Sequence, residues 1–181
     1  MSRHSGFTMM ELLIVISIVG ILAAIGTSSF KYVTASNRIA TEINALLADM
    51  RYARAEAVKE GLPVTVCASA NGTTCSKSSS SWQSGWLVFS DPSSSQTVGT
   101  NPVLRVQSAF SNSTDQFVVD NGIYAMTFNR QGFGSAIPAP ATNPVTMALR
   151  TVPENTSWTR CLAITAVGLL SIQTNGQVNC T

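Results

Sequence analysis

The chain has 181 residues, 45% of them hydrophobic, with four cysteines and eleven basic against nine acidic residues, a formal net charge of +2. Such a length suits one globular domain plus an appendage, and so even a charge balance does not advertise a nucleic-acid partner. With one histidine, His4, and no glycine-rich phosphate loop, the common catalytic constellations lack their parts; no enzyme activity, cofactor or metal is expected.

In chain order, residues 1–6 are polar, with Arg3 as the fixed cation that favours a cytoplasmic amino terminus. From Phe7 to Ile25 run nineteen residues with a single charge, Glu11. As a helix at ~1.5 Å per residue, this run is long enough to cross a hydrocarbon core of ~30 Å. A carboxylate inside hydrocarbon costs ~2.5–3.5 kcal/mol and persists only where something compensates it. If a peptidase cut between Gly6 and Phe7, the new α-amino group would be such a partner. Turn geometry strains a pairing within one chain, so the amine of a neighbouring subunit fits better. A conventional secretory signal with its cleavage site at Ala24-Ile25-Gly26, or a plain signal anchor, would leave Glu11 unexplained.

Gly6-Phe7-Thr8 followed by Glu11-Leu12-Leu13 resembles the prepilin leader and cleavage motif of type IV pilins and type II secretion pseudopilins. The resemblance implies that prepilin peptidase removes Met1–Gly6, that Phe7 becomes N-methylated, and that Glu11 helps subunits dock into a helical filament. It further implies insertion in the bacterial inner membrane with the head in the periplasm, and other minor and major pilins or pseudopilins as partners. No small-molecule substrate is implied.

Beyond Ile25 the helical pattern continues. Phe30, Val33, Ile39, Ala40, Ile43, Leu46, Leu47, Met50, Ala53, Ala57 and Val58 recur at spacings of three and four, as on the apolar stripe of an amphipathic helix. Arg38, Glu42, Asp49, Arg51, Arg54, Glu56, Lys59 and Glu60 are expected on the wet face. No proline interrupts Phe7–Gly61, and Gly61-Leu62-Pro63 is a stop signal. One helix of about 54 residues follows, ~80 Å long if straight, with a bend expected at the weakly helical Gly26-Thr27-Ser28-Ser29. A membrane tether followed by a separate soluble helix would show a similar pattern.

After Pro63 the period shortens. Pro63–Ala68, Gly85–Ser90, Pro102–Gln107, Phe117–Val119, Ile123–Asn129, Val145–Arg150, Arg160–Ala166 and Leu169–Thr174 read as strands. Parallel pairing would need crossover helices for which there is no room. The fold class is therefore α+β, a long N-terminal α-helix packed on a mainly antiparallel two-sheet β head. The serine-rich stretches Ser76–Ser81 and Asp91–Gly99 read as exposed loops, open to glycans or partner contacts.

Cys67, Cys75, Cys161 and Cys180 form an even set on the exported side, where disulfides are the expected state. Three connectivities exist. The local pairs Cys67–Cys75 and Cys161–Cys180 are favoured, since each closes a short loop between expected strands. Zinc is disfavoured by the lack of a Cys-x-x-Cys spacing and by the loss of His4 with the leader.

Three segments of the head resemble the GspH/FimT/FimU branch of minor pilins and pseudopilins. They are Trp82-Gln83-Ser84-Gly85-Trp86-Leu87-Val88-Phe89-Ser90-Asp91, then Thr127-Phe128-Asn129-Arg130-Gln131-Gly132, then Cys161-Leu162-Ala163-Ile164 with Gly168-Leu169-Leu170-Ser171. A DNA-binding variant of that family carries Gly-Arg-x-Arg in its last hairpin; here Gly168-Leu169-Leu170-Ser171 lacks both arginines. From Leu62 on, five basic residues (Lys77, Arg105, Arg130, Arg150, Arg160) face four acids (Asp91, Asp115, Asp120, Glu154), a net +1 that gives phosphate little to grip unless the arginines cluster. The expected organisation is a leader at 1–6, a transmembrane and filament-core half-helix at 7–29, an amphipathic half-helix at 30–61 and a β-rich GspH-like head at 62–181. The resemblance favours a type IV pilus, with a tip complex that primes assembly, over a secretion pseudopilus; the shared helix motif does not separate them.

Overall fold

The structure is a computed structural model that describes residues 7–119, 122–139, 144–177 and Cys180, without the side chains of residues 25–29 and Ser80. The expected leader lies outside the described residues. The chain divides after Arg38 into two compact units. Helix α1 (Met9–Glu60) supplies the first unit and the opening element of the second.

In the first unit α1 is the only element among the described residues. Its apolar side chains from Phe7 to Leu22 are exposed, as are Phe30 and Val33, at 72% and 53%. Those two were expected on the apolar stripe with Ile39; within the first unit, no other element stands against them. In the second unit the stripe is buried at Ile39, Ile43, Leu46, Leu47, Met50, Ala53 and Ala57. Val58, one residue beyond Ala57, turns out to solvent at 54%. α1 stops where Gly61 adopts φ +70° and its N–H bonds the Ala57 carbonyl at 3.1 Å, a left-handed cap that glycine alone takes without strain.

The wet-face assignment needs correction where charged side chains turn inward. Glu42 is buried on the stripe itself, and Asp49 and Arg54 are partly buried because their side chains bond the sheets.

Among the described residues nine strands form two sheets: β1 (Val64–Ala68), β2 (Gly85–Ser90), β3 (Val103–Ser108), β4 (Asp115–Val119), β5 (Ala125–Phe128), β6 (Gly134–Ile137), β7 (Val145–Thr151), β8 (Arg160–Ile164) and β9 (Leu170–Thr174). The first sheet runs β3-β2-β1-β5-β6 and the second β4-β7-β8-β9, with every pairing antiparallel. Strand β6 was not expected. Gly-Ser-Ala-Ile has little intrinsic strand preference, and pairing with β5 through Met126↔Ala136 and Thr127↔Ser135 decides its conformation. A 3-10 helix, Ser79–Ser84, takes up part of the stretch expected as loop.

The core lies where the helix stripe meets both sheets. Val64, Val66, Trp86, Val88, Met126 and Phe128 come from the first sheet, and Met147, Leu149, Leu162 and Ile164 from the second. Trp82, carried by the 3-10 helix, is fully buried and donates its indole N–H to the Ile123 carbonyl at 2.9 Å. The outer face of the first sheet is also covered, by a smaller cluster of Cys67, Leu87, Phe89, Val98 and Ala125. That second cover explains why β1 and β2 read as apolar runs rather than alternations. It also corrects the expectation that Asp91–Gly99 is an exposed loop: Asp91 is fully buried and Val98 nearly so.

Candidate functional site

Phe7 and Thr8 precede the first turn of α1. The Thr8 carbonyl accepts from the Leu12 N–H at 3.2 Å, and its hydroxyl accepts from the Glu11 N–H at 3.3 Å. Thr8 is thus the N-cap, and Thr8-x-x-Glu11 has the spacing of a capping box. A carboxylate in the first turn also meets the positive end of the helix dipole. Part of the cost of Glu11 is therefore met within the chain. The charge itself remains, since no Lys or Arg occurs between Phe7 and Phe30.

The helix beyond Glu11 shows almost nothing but hydrocarbon. Leu12, Leu13, Ile14, Val15, Ile16, Ile18, Val19, Ile21 and Leu22 are each about half exposed, and Ser17 hides its hydroxyl by donating to the Leu13 carbonyl at 2.8 Å. A contiguous apolar surface all round a helix requires a cover, from lipid or from other helices. Among the described residues, no helix is long and apolar enough to cross a membrane. Ile25, the last residue of the expected span, lies among the side chains outside the description.

In the second unit, polar contacts through Asp49 and Arg54 hold the head on α1. The Asp49 carboxylate accepts the Trp86 indole N–H at 2.9 Å and pairs with Arg105 at 3.0 Å, while the Arg105 guanidinium lies 3.8 Å over the Tyr52 ring. Arg54 reaches both sheets, as its Nε donates to the Gly132 carbonyl at 3.0 Å and its Nη2 to the Val167 carbonyl at 3.4 Å. The two turns it grips are built alike. Asn129 accepts from the Gln131 and Phe133 N–H groups, Thr165 accepts from the Leu169 N–H, and Gly132 and Gly168 supply the left-handed residues at φ +81° and +77°. Sequence reading missed Asp49 and Arg54, because charge on an amphipathic helix ordinarily means solvent. The signal available for Arg54 was that Gly132 and Gly168, in the two turns it grips, sit in two of the three resembling segments.

Both local disulfides are present, Cys67–Cys75 beside the first sheet's outer cluster and Cys161–Cys180 in a cluster with Ala148, with no free cysteine. Three of the head arginines have local partners. Arg105 is engaged with Asp49 beside the first sheet, Arg150 lies 3.6 Å from Glu154, and Arg160 donates to the Ser157 and Thr159 carbonyls on the second. Among the described residues no cluster of His, Cys, Asp and Glu could hold a metal ion.

The family described as Type II transport protein GspH matches residues 42–168, and the prokaryotic N-terminal methylation motif matches residues 1–27. No curated protein matches. Among solved structures, the type IV minor pilin FimU of Pseudomonas aeruginosa is similar with a TM-score of 0.58 at 21% identity, over 76% of this chain and 89% of that one. A second crystal form of FimU gives a TM-score of 0.54 at 21% identity, over 74% and 90%. At that identity the likeness establishes the fold: a helix packed on two antiparallel sheets.

Proposed function

The chain belongs to the GspH family of minor pilins and pseudopilins, and from that premise we propose that it is a minor pilin built into a type IV pilus at its tip, in a complex that primes assembly. One observation carries the reading: a bare apolar helix with a single acid in its first turn continues, in the same element, into a stripe fixed in a disulfide-closed head. Such a helix needs lipid before assembly and neighbouring helices after it.

In this reading the precursor inserts in the inner membrane with Arg3 on the cytoplasmic side and its head in the periplasm. Prepilin peptidase cuts between Gly6 and Phe7, and Phe7 is N-methylated. Cleavage leaves an amine beside an apolar helix with no cation of its own. Glu11 of one subunit pairs with the amine of the next, which sets the axial register of the helices and neutralises both charges in a low-dielectric surround. The protein's role is structural, its partners other pilins.

A second reading, a minor pseudopilin of a type II secretion system, is supported by the family's own description. DNA uptake is disfavoured by Leu169 and Leu170 in the last hairpin and by the local engagement of Arg105, Arg150 and Arg160. The deciding experiment shears surface pili from a strain lacking the gene and weighs the major pilin recovered. Loss of pili, restored by the gene but not by its Glu11→Ala form, is the result expected; normal piliation moves the assignment to the secretion pseudopilus.

A further inference from the structure

We propose that the head carries a binding site for a neutral sugar, in the cleft on the outer side of the first sheet between β5, β6 and the loop after Asp91. The cleft measures about 390 Å³, and Ser94, Gln96, Thr127, Asn129, Phe133 and Ser135 are among its walls. That volume lies within the range of small-molecule sites, and no lining residue carries a charge.

Proton bookkeeping sets the chemistry of the floor. The fully buried Asp91 carboxyl accepts the backbone N–H groups of Ser95 and Gln96, each at 2.9 Å, and the Thr65 hydroxyl at 2.9 Å. A hydroxyl has one proton to give, and Thr65 has given its own to Asp91. The 2.7 Å contact between the Thr65 and Thr127 hydroxyls is therefore donated by Thr127. What Thr127 offers the cleft is an oxygen that can only accept, so the ligand must bring a donor.

The same carboxyl sets the roof. By holding the N–H groups of Ser95 and Gln96, Asp91 keeps the loop in a shape with Ser94 and Gln96 at φ 51° and 54°, a region non-glycine residues occupy at some cost. Floor and roof are thus locked to one buried group. Phe133, half exposed at the edge, offers a flat apolar ring to the C–H face of a pyranose. An uncharged ligand rich in hydroxyl donors, with one apolar face, is the chemical description of a sugar. An extended peptide along edge strand β6 fits less well, because the Gly134 N–H that points away from β5 is already bonded to the Ala166 carbonyl at 2.9 Å.

The test is saturation-transfer NMR on the full-length protein in lauryldimethylamine oxide, a detergent without sugar. The probes are methyl glucoside, methyl galactoside, methyl mannoside and N-acetylglucosamine, with a blocked Ser/Thr-rich tetrapeptide alongside. Transfer to at least one sugar is expected, with affinity about tenfold weaker in Thr127→Val, roughly the value of one hydrogen bond, and likewise in Phe133→Ala. Should Thr127→Val fail to fold by circular dichroism, the half-exposed Phe133→Ala decides. No transfer to any sugar, transfer undiminished in the folded variants, or transfer to the tetrapeptide alone overturns the proposal.

Discussion

Arg54 Nε donates to the Gly132 carbonyl at 3.0 Å, and Gly168 closes over the same spot so tightly that a Cβ on it would lie 2.1 Å from that carbonyl oxygen. A residue of the helix, a turn of the first sheet and a turn of the second therefore meet at one point. The Gly134 N–H, bonded to the Ala166 carbonyl at 2.9 Å, joins the two turns directly.

Arg54→Ala should lower stability by about 1–3 kcal/mol, because two carbonyls lose a charged donor. Gly168→Ala should cost at least as much, since its φ of +77° and the backbone contact both oppose a side chain. Urea unfolding followed by the fluorescence of the buried Trp82 and Trp86 measures both; wild-type midpoints would remove this junction from the account.

Asp49→Ala should be costlier than the loss of an exposed ion pair. It strands the indole N–H of the buried Trp86 as well as releasing Arg105, an expected loss of about 1.5–3 kcal/mol against ~0–1 for a surface pair. Arg105→Ala leaves the indole bond in place and should cost less. Comparing the two by the same unfolding assay tests the ranking.

Thiol labelling of the denatured, unreduced protein should find no reactive cysteine. Replacing either pair by serine should destabilise the head by about 3 kcal/mol, the loop-closure value for sequence separations of 8 and 19. Four labelled thiols would reject both bonds.

Glu11→Ala should leave membrane insertion intact or improve it, since a buried carboxylate costs ~2.5–3.5 kcal/mol, yet impair recovery in sheared filaments. Glu11→Gln isolates charge from capping: it keeps the Thr8-x-x-Gln pattern of a capping box and should still fail to assemble. Normal assembly of both variants would leave Glu11 with its first-turn role alone.

Gly6→Val should leave an uncut precursor, seen as a slower band on a gel and by the mass of the amino-terminal peptide. Processing at the wild-type rate would sink the cleavage site assigned between Gly6 and Phe7.

Much of this was legible along the chain. The N-terminal methylation motif over residues 1–27 is readable from the sequence, because such a motif is a pattern of contiguous residues. The helix, its glycine stop, the antiparallel sheets and both disulfides likewise follow from local period, turn residues and short loops. Tertiary structure alone decided which charged residues on α1 turn inward, that Gly-Ser-Ala-Ile becomes β6, and that a serine-rich loop is anchored by a buried Asp91. Each depends on partners far along the chain: Arg54 on Gly132 and Val167, β6 on its register with β5, Asp91 on Thr65 and through it Thr127. An isolated acid or arginine reads as solvent-facing, because burying it is costly until such partners are in place; only the folded head supplies them.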